Sequence, residues 1–182
     1  VGIGHDVRQW RSNWSFASSY AARPRGGGVL LDLCHEIDLI SLLCPALRLH
    51  SVQSLGHEAF PGVDLASTLA FSAPQGATAT VSMDYLSPVL QRSGRLSGSK
   101  RSISFDFVNS TAFVQAQEGL QNYTFEHERN AMFLQIMQDF ITLVEGASAE
   151  LHPCVPRMDL VRQSCDRIVT AWHSREFVGT RE

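Results

Sequence analysis

Two hydrophobic rhythms divide the chain. Between Leu47 and Gln117 apolar residues recur at every second position, the repeat of a strand that buries one face. Leu47, Leu49 and Ser51 open a run that continues towards His57. Leu65, Ser67, Leu69 and Phe71 form a second. Ala77, Ala79, Val81, Met83 and Tyr85 alternate with Thr78, Thr80, Ser82 and Asp84. Ile103, Phe105 and Phe107 alternate with Ser102, Ser104 and Asp106, and Ala112 to Gln115 predicts one more short strand. The segment "SAPQGATA", with Pro74 and Gly76, is a turn. Short turns between consecutive strands predict antiparallel pairing. Val1 to Trp14 mixes polar and apolar residues and predicts at most a short strand.

On both sides of this region the repeat is helical. Val29 to Leu43 predicts one helix, stopped by Pro45. At about 100° per residue, Leu30, Leu33, Cys34, Ile37, Ile40 and Cys44 share one side. Asp32, His35 and Glu36 share the other. Near the end, Phe133, Ile136, Met137, Phe140 and Val144 predict a helix that Gly146 terminates. After Pro156, Val161, Cys165, Ile168 and Trp172 predict another. Both stripes read as ordinary core. A helix, a run of strands and two closing helices give an α+β fold: an open, mainly antiparallel β-sheet with helices packed on one face. No βαβ alternation, fixed-period repeat or long linker is present, so residues 1–182 read as a single domain.

Composition narrows the function classes. The chain has 182 residues, 44% hydrophobic and 18% charged, with a net charge of -3. That argues against a nucleic-acid partner. The basic run Arg92 to Arg101 reads as a solvated loop or hairpin. No apolar run reaches the roughly 18 to 20 residues that cross a bilayer, so no membrane association is expected. The spacing of Cys34, Cys44, Cys154 and Cys165 matches no zinc pattern. Cys34 and Cys165 fall on predicted apolar helix faces, and a reduced, cytoplasmic protein is expected.

Several motifs compete for the chemistry. "VGIGHDV" imitates a dinucleotide loop, but Val7 stands where the third glycine belongs and no amphipathic helix follows. "SGSK", Ser97 to Lys100, lacks the companion motifs of serine–lysine acylases. "HEID" lacks the second histidine of a zinc helix, and no metal is expected. Gly26, Gly27 and Gly28 open the predicted helix at Val29. They suit either an anion held on backbone N–H groups or a tight approach where side chains would clash. Asp32 and His35, three apart on a helix, are neighbours. A carboxylate beside an imidazole can hold one tautomer and stabilise the imidazolium, as a general acid/base requires. A charged face meeting solvent gives the same spacing.

"GGGVLLDLCHEIDLISLL" resembles the start of the C-terminal domain's helix in the Gfo/Idh/MocA oxidoreductases. "WRSNWSFASSYAARPR" and "GRLSGSKRSISFDF" resemble that family's preceding segment and its hairpin. The resemblance implies the substrate-binding and catalytic-helix domain of a two-domain dehydrogenase whose nucleotide-binding Rossmann domain is not in this sequence. It implies reversible hydride transfer at a secondary alcohol of a sugar or cyclitol. NAD or NADP would be bound mainly by the missing N-terminal domain, and this chain alone would be inactive. His35 would accept or donate the hydroxyl proton, and Asp32 would orient it or bind substrate, with D-x-x-H where many members have D-x-x-x-H. Trp10, Arg11, Tyr20 and Glu36 would contribute to substrate binding. The resemblance also implies a homo-oligomer through the sheet face, where the outward positions near Thr78 to Ser82 are small. A non-catalytic oligomerisation module is the competing reading.

Overall fold

The computed structural model describes residues 1–9, 12–126, 128, 130–146 and 158–182. Nine strands form one sheet: β1 (Gly2–Gly4), β2 (Arg48–His57), β3 (Ala66–Ser72), β4 (Thr78–Asp84), β5 (Gln91–Ser97), β6 (Arg101–Asp106), β7 (Thr111–Ala116), β8 (Gly119–Thr124) and β9 (Arg175–Arg181). Their order is β8-β7-β6-β5-β1-β4-β3-β2-β9. The pairs are antiparallel except β1 with β4 and β2 with β9. The fold is therefore a mixed, mostly antiparallel open sheet, as expected, with two parallel joins that the short-turn argument does not reach. The shortest strand lies near its centre. Ile3 of β1 faces Met83 on one side and Arg92 on the other. A Cβ at Gly4 would lie 2.5 Å from an Asp84 carboxylate oxygen and against Ser87. "VGIG" thus serves strand packing rather than a nucleotide.

Alternation was a sound guide to the buried face. Val52, Leu69, Phe71, Val81, Met83 and Tyr85 all point to one side and are almost fully buried. Each such side chain contributes on the order of 1.5–3 kcal/mol. Helices α1 (Val29–Asp32), α2 (His35–Leu43) and α4 (Met158–His173) cover that side over β2, β3 and β4. Val29, Leu30, Ile37, Ile40 and Ala171 complete the core. Thr68, Thr80 and Ser82 lie exposed on the opposite face.

Three sequence expectations change. The single helix from Val29 to Leu43 is two, α1 and α2, separated by a turn at Leu33–Cys34. In α4 the buried positions are Ser164 and Ala171, while Val161 and Cys165 are exposed. Ile168 and Trp172 still pack against the core, so the contact stripe is rotated towards the small residues Ser164 and Ala171. Helix α3 (Ala131–Val144) has its predicted stripe, but Phe133, Ile136, Met137, Phe140 and Val144 are all exposed, Phe140 by 61%. Helical spacing marks a face that wants burial and does not say against what. Gly146 does end α3, with φ +96° and its N–H donated to Leu143 O. No described helix is long and apolar enough to cross a membrane.

Candidate functional site

The glycine run answers to a buried carboxylate, not to an external anion. Gly28 has φ +95°, a left-handed conformation that side chains disfavour, and a Cβ there would run into the Asp64 carboxylate. A Cβ on Gly27 would lie 2.5–2.7 Å from the carbonyl oxygens of Arg23, Ala21 and Tyr20. Leu30 N–H donates to Asp64 Oδ2 at 2.9 Å, and Val29 N–H donates to Asp64 O at 2.9 Å. The first N–H groups of α1 are thus satisfied from within the chain. Ser67 Oγ also donates to Asp64 Oδ2, at 2.8 Å, and Arg175 pairs with Oδ1. Of the two readings of Gly26–Gly28, the tight approach is the one realised. It fixes the position from which Asp32 and His35 project.

The turn at Leu33–Cys34 then separates the residues that an unbroken helix would hold on one face. Glu36 N–H donates to Leu33 O and Ile37 N–H to Cys34 O. These three-residue bonds tighten the turn to about 120° per residue. His35 stays outward, its side chain 43% exposed. Glu36 swings inward and is fully buried. Expected as a substrate contact, it instead accepts from Arg92 Nε at 2.6 Å through Oε1. The same oxygen lies 3.4 Å from His35 Nε2. The carboxylate nearest the imidazole is therefore Glu36. Asp32 accepts from Tyr20 Oη at 2.7 Å and from Tyr85 Oη at 2.8 Å, one phenol on each oxygen. Trp10 and Arg11 lie outside the described residues.

Electrostatics give these groups different states. Partial burial, with Arg92 second, holds the His35 pKa below its ordinary value of 6.5, against the opposing pull of Glu36, Asp32 and Asp38. The exposed imidazole is therefore a neutral base at neutral pH. Burial, then the charge and hydrogen bond of Asp32, push the Tyr85 phenol far above its ordinary value. Tyr85 stays protonated and serves only as a donor that fixes Asp32. Tyr85 also lines an open depression of about 610 Å³ with Trp14, Phe16, His57, Phe60 and Arg181. Tyr85 links the fixed Asp32 carboxylate to this aromatic wall, while His35 does not line the depression.

Sequence reasoning reached His35, Asp32 and Tyr20, and the structure joins Tyr20 to Asp32. It missed Tyr85, which read only as the last inward residue of a strand, and Arg92, which read as part of a solvated basic run. Their partners lie 53 and 56 positions away in sequence. For Arg92, one of four basic residues in its run, no local signal marked the partner. For Tyr85 there was none.

Comparison with known proteins supplies the family. The model of the GFO/IDH/MocA C-terminal domain matches residues 3–104, more than half of the chain. No curated protein matches it. Among solved structures it is similar to UDP-N-acetylglucosamine 3-dehydrogenase GnnA from Acidithiobacillus ferrooxidans. The TM-score is 0.71 at 16% identity, over 96% of this chain and 52% of that one. It is also similar to KijD10, a 3-ketoreductase from Actinomadura kijaniata, in complex with NADP and TDP-benzene. There the TM-score is 0.71 at 14% identity, over 98% of this chain and 55% of that one. The chain thus spans about half the length of these structures, and at such identity the likeness is one of fold. The match of the family model over the segment that carries "GGGVLLDLCHEIDLISLL", together with this sheet and helix arrangement, establishes that the chain belongs to the GFO/IDH/MocA C-terminal domain family.

Proposed function

We propose that this chain is the substrate-binding and catalytic-helix domain of an NAD(P)-dependent oxidoreductase. It acts on a secondary alcohol of a sugar or cyclitol, and His35 accepts the hydroxyl proton in oxidation and returns it in reduction. The observation that carries the reading is the outward imidazole at the start of α2, on the same turn of chain as an Asp32 carboxylate fixed by two phenols. Of the two solved structures named above, one is a UDP-N-acetylglucosamine 3-dehydrogenase and the other a 3-ketoreductase in complex with NADP and TDP-benzene. A bound nicotinamide supplies the hydride acceptor. The chain's own residues do the rest: Asp32 anchors substrate hydroxyls, His35 moves the proton, and the aromatic wall near Tyr85 excludes water.

The described residues do not themselves build a dinucleotide cradle. Gly2 and Gly4 are in β1, and the N–H groups that follow Gly28 are taken by Asp64. The nucleotide is accordingly assigned to further polypeptide of the cytoplasmic protein, and the exposed apolar stripe of α3 is available for contact with it. Alone, residues 1–182 fold as one domain and catalyse nothing.

The test is nicotinamide reduction by the full-length protein across sugars, nucleotide sugars and cyclitols, followed as a function of pH. Because the His35 pKa is lowered, its neutral form persists below pH 6.5. The acid limb of kcat/KM for alcohol oxidation is therefore expected beneath that value. An acid limb above 6.5, or no nicotinamide reduction with any of these alcohols, contradicts the reading.

One observation favours an accompanying oligomeric role. The outer sheet face around Thr68, Thr80 and Ser82 is exposed and small in side chain, which suits face-to-face association of two sheets. Sedimentation of the full-length protein is expected to give a dimer or larger. Replacing Thr80 and Ser82 with arginine is expected to shift it towards monomer. A wild-type monomer at high concentration contradicts sheet-face association.

A further inference from the structure

Glu36 is the one buried group of the site that the proposed chemistry leaves unexplained. It is fully buried, yet among the described residues its carboxylate takes one hydrogen bond, from Arg92 Nε. Its second oxygen, Oε2, is buried with no hydrogen-bond partner among the described residues. A buried carboxylate left half-satisfied is costly and calls for an explanation. A purely structural clamp between β5 and α2 would account for Oε1 and not for Oε2. The same Oε1 lies 3.4 Å from His35 Nε2, close enough to attract an imidazolium.

We propose that Glu36 is a positioning residue for His35: its buried carboxylate balances the Arg92 guanidinium against the imidazole, holding the ring in place and receiving it as a cation when His35 takes a proton. This rests on the proton-transfer role of His35 proposed above. With His35 neutral, Arg92 holds Oε1, and its guanidinium carbon sits 4.8 Å over the Phe107 ring. When the imidazole gains a proton, a second cation competes for that carboxylate, and Oε2 is still open to receive one. The ring would then carry its proton next to a fixed anion instead of beside an uncompensated arginine. The other charged groups acting here are Asp32 and Asp38 on the ring. Tyr20 and Tyr85 each donate to Asp32.

The test uses the full-length protein with isotopically labelled histidine, and follows the His35 ring signal through a pH titration alongside kcat/KM. Glu36→Gln keeps the shape and the acceptor for Arg92 but removes the anion. It is expected to lower the His35 midpoint by roughly half a pH unit or more and move the acid limb of kcat/KM with it. Arg92→Met removes the opposing cation and is expected to raise both. Midpoints that stay in place, or that move the same way in the two variants while both remain folded, overturn the proposal. Should Glu36→Gln fail to fold, an unmoved or lowered midpoint in Arg92→Met overturns it, and a raised one supports it. The ring titration needs no turnover. If it moves as expected while His35→Ala remains fully active, the proton-transfer role fails and the Glu36 coupling stands.

Discussion

His35→Ala in the full-length protein is expected to lower kcat by about 100- to 10,000-fold, the usual contribution of a positioned acid or base. Nicotinamide affinity should stay within about twofold, because the substitution removes a step in proton transfer and not a nucleotide contact. The imidazole is placed for that step by the chain itself. Asp64 captures the start of α1, the Leu33–Cys34 turn re-aims α2, and the ring emerges at its first position. His35→Asn, which keeps a polar side chain without the titrating base, should be nearly as impaired. Separate steady-state and nucleotide-binding measurements resolve the two quantities. Equal losses in both would mean that the residue supports cofactor binding or folding instead.

The second large effect is on stability. Asp64 is fully buried and joins four elements: the N–H groups of α1, Ser67 of β3, and Arg175 at the junction of α4 and β9. Arg175 is itself nearly buried, stacks over Trp172 at 4.6 Å and donates to Trp172 O. Removing one partner leaves the other as an uncompensated buried charge, which typically costs about 3–5 kcal/mol. Asp64→Ala is therefore expected to lower Tm by roughly 10 °C in a protein of this size. Replacing both partners with apolar residues should cost less than the single substitution, since no orphan charge remains. A change in Tm of no more than about 2 °C for Asp64→Ala would show that the carboxylate does not anchor the helix layer.

Much of the sheet was legible because burial on one face leaves a period-two trace in β2, β3, β4 and β6. Strands β5 (QRSGRLS), β8 (GLQNYT) and β9 (REFVGTR) left little trace because both their faces are largely exposed. Strand β1 is three residues long and glycine-rich, so its place near the sheet centre rests on contacts with β4 and β5 that no local pattern announces. In α4 the rule that large apolar residues face inward held for Ile168 and Trp172 and failed for Val161 and Cys165, with Ser164 and Ala171 the most buried positions. The stripe of α3 was read correctly as a stripe and incorrectly as core of this chain.

The site divides the same way. His35, Asp32 and Tyr20 stand in one continuous stretch and could be found there. Glu36 was assigned to the wrong side because an unbroken 3.6-residue helix was assumed across Leu33–Cys34. Arg92, Tyr85 and Asp64 meet that stretch only once the sheet is assembled. Their roles are properties of the topology and are invisible to spacing. The glycine run had two readings until Asp64 was seen to occupy the end of α1.

The most direct test is a structure of the full-length protein with nicotinamide and a bound alcohol substrate or unreactive analogue. A nitrogen of the His35 ring should lie about 2.6–3.2 Å from the hydroxyl on the carbon that faces the nicotinamide. If that hydroxyl meets a different acid or base, with His35 out of hydrogen-bond reach, the assignment of the proton step to this helix is wrong.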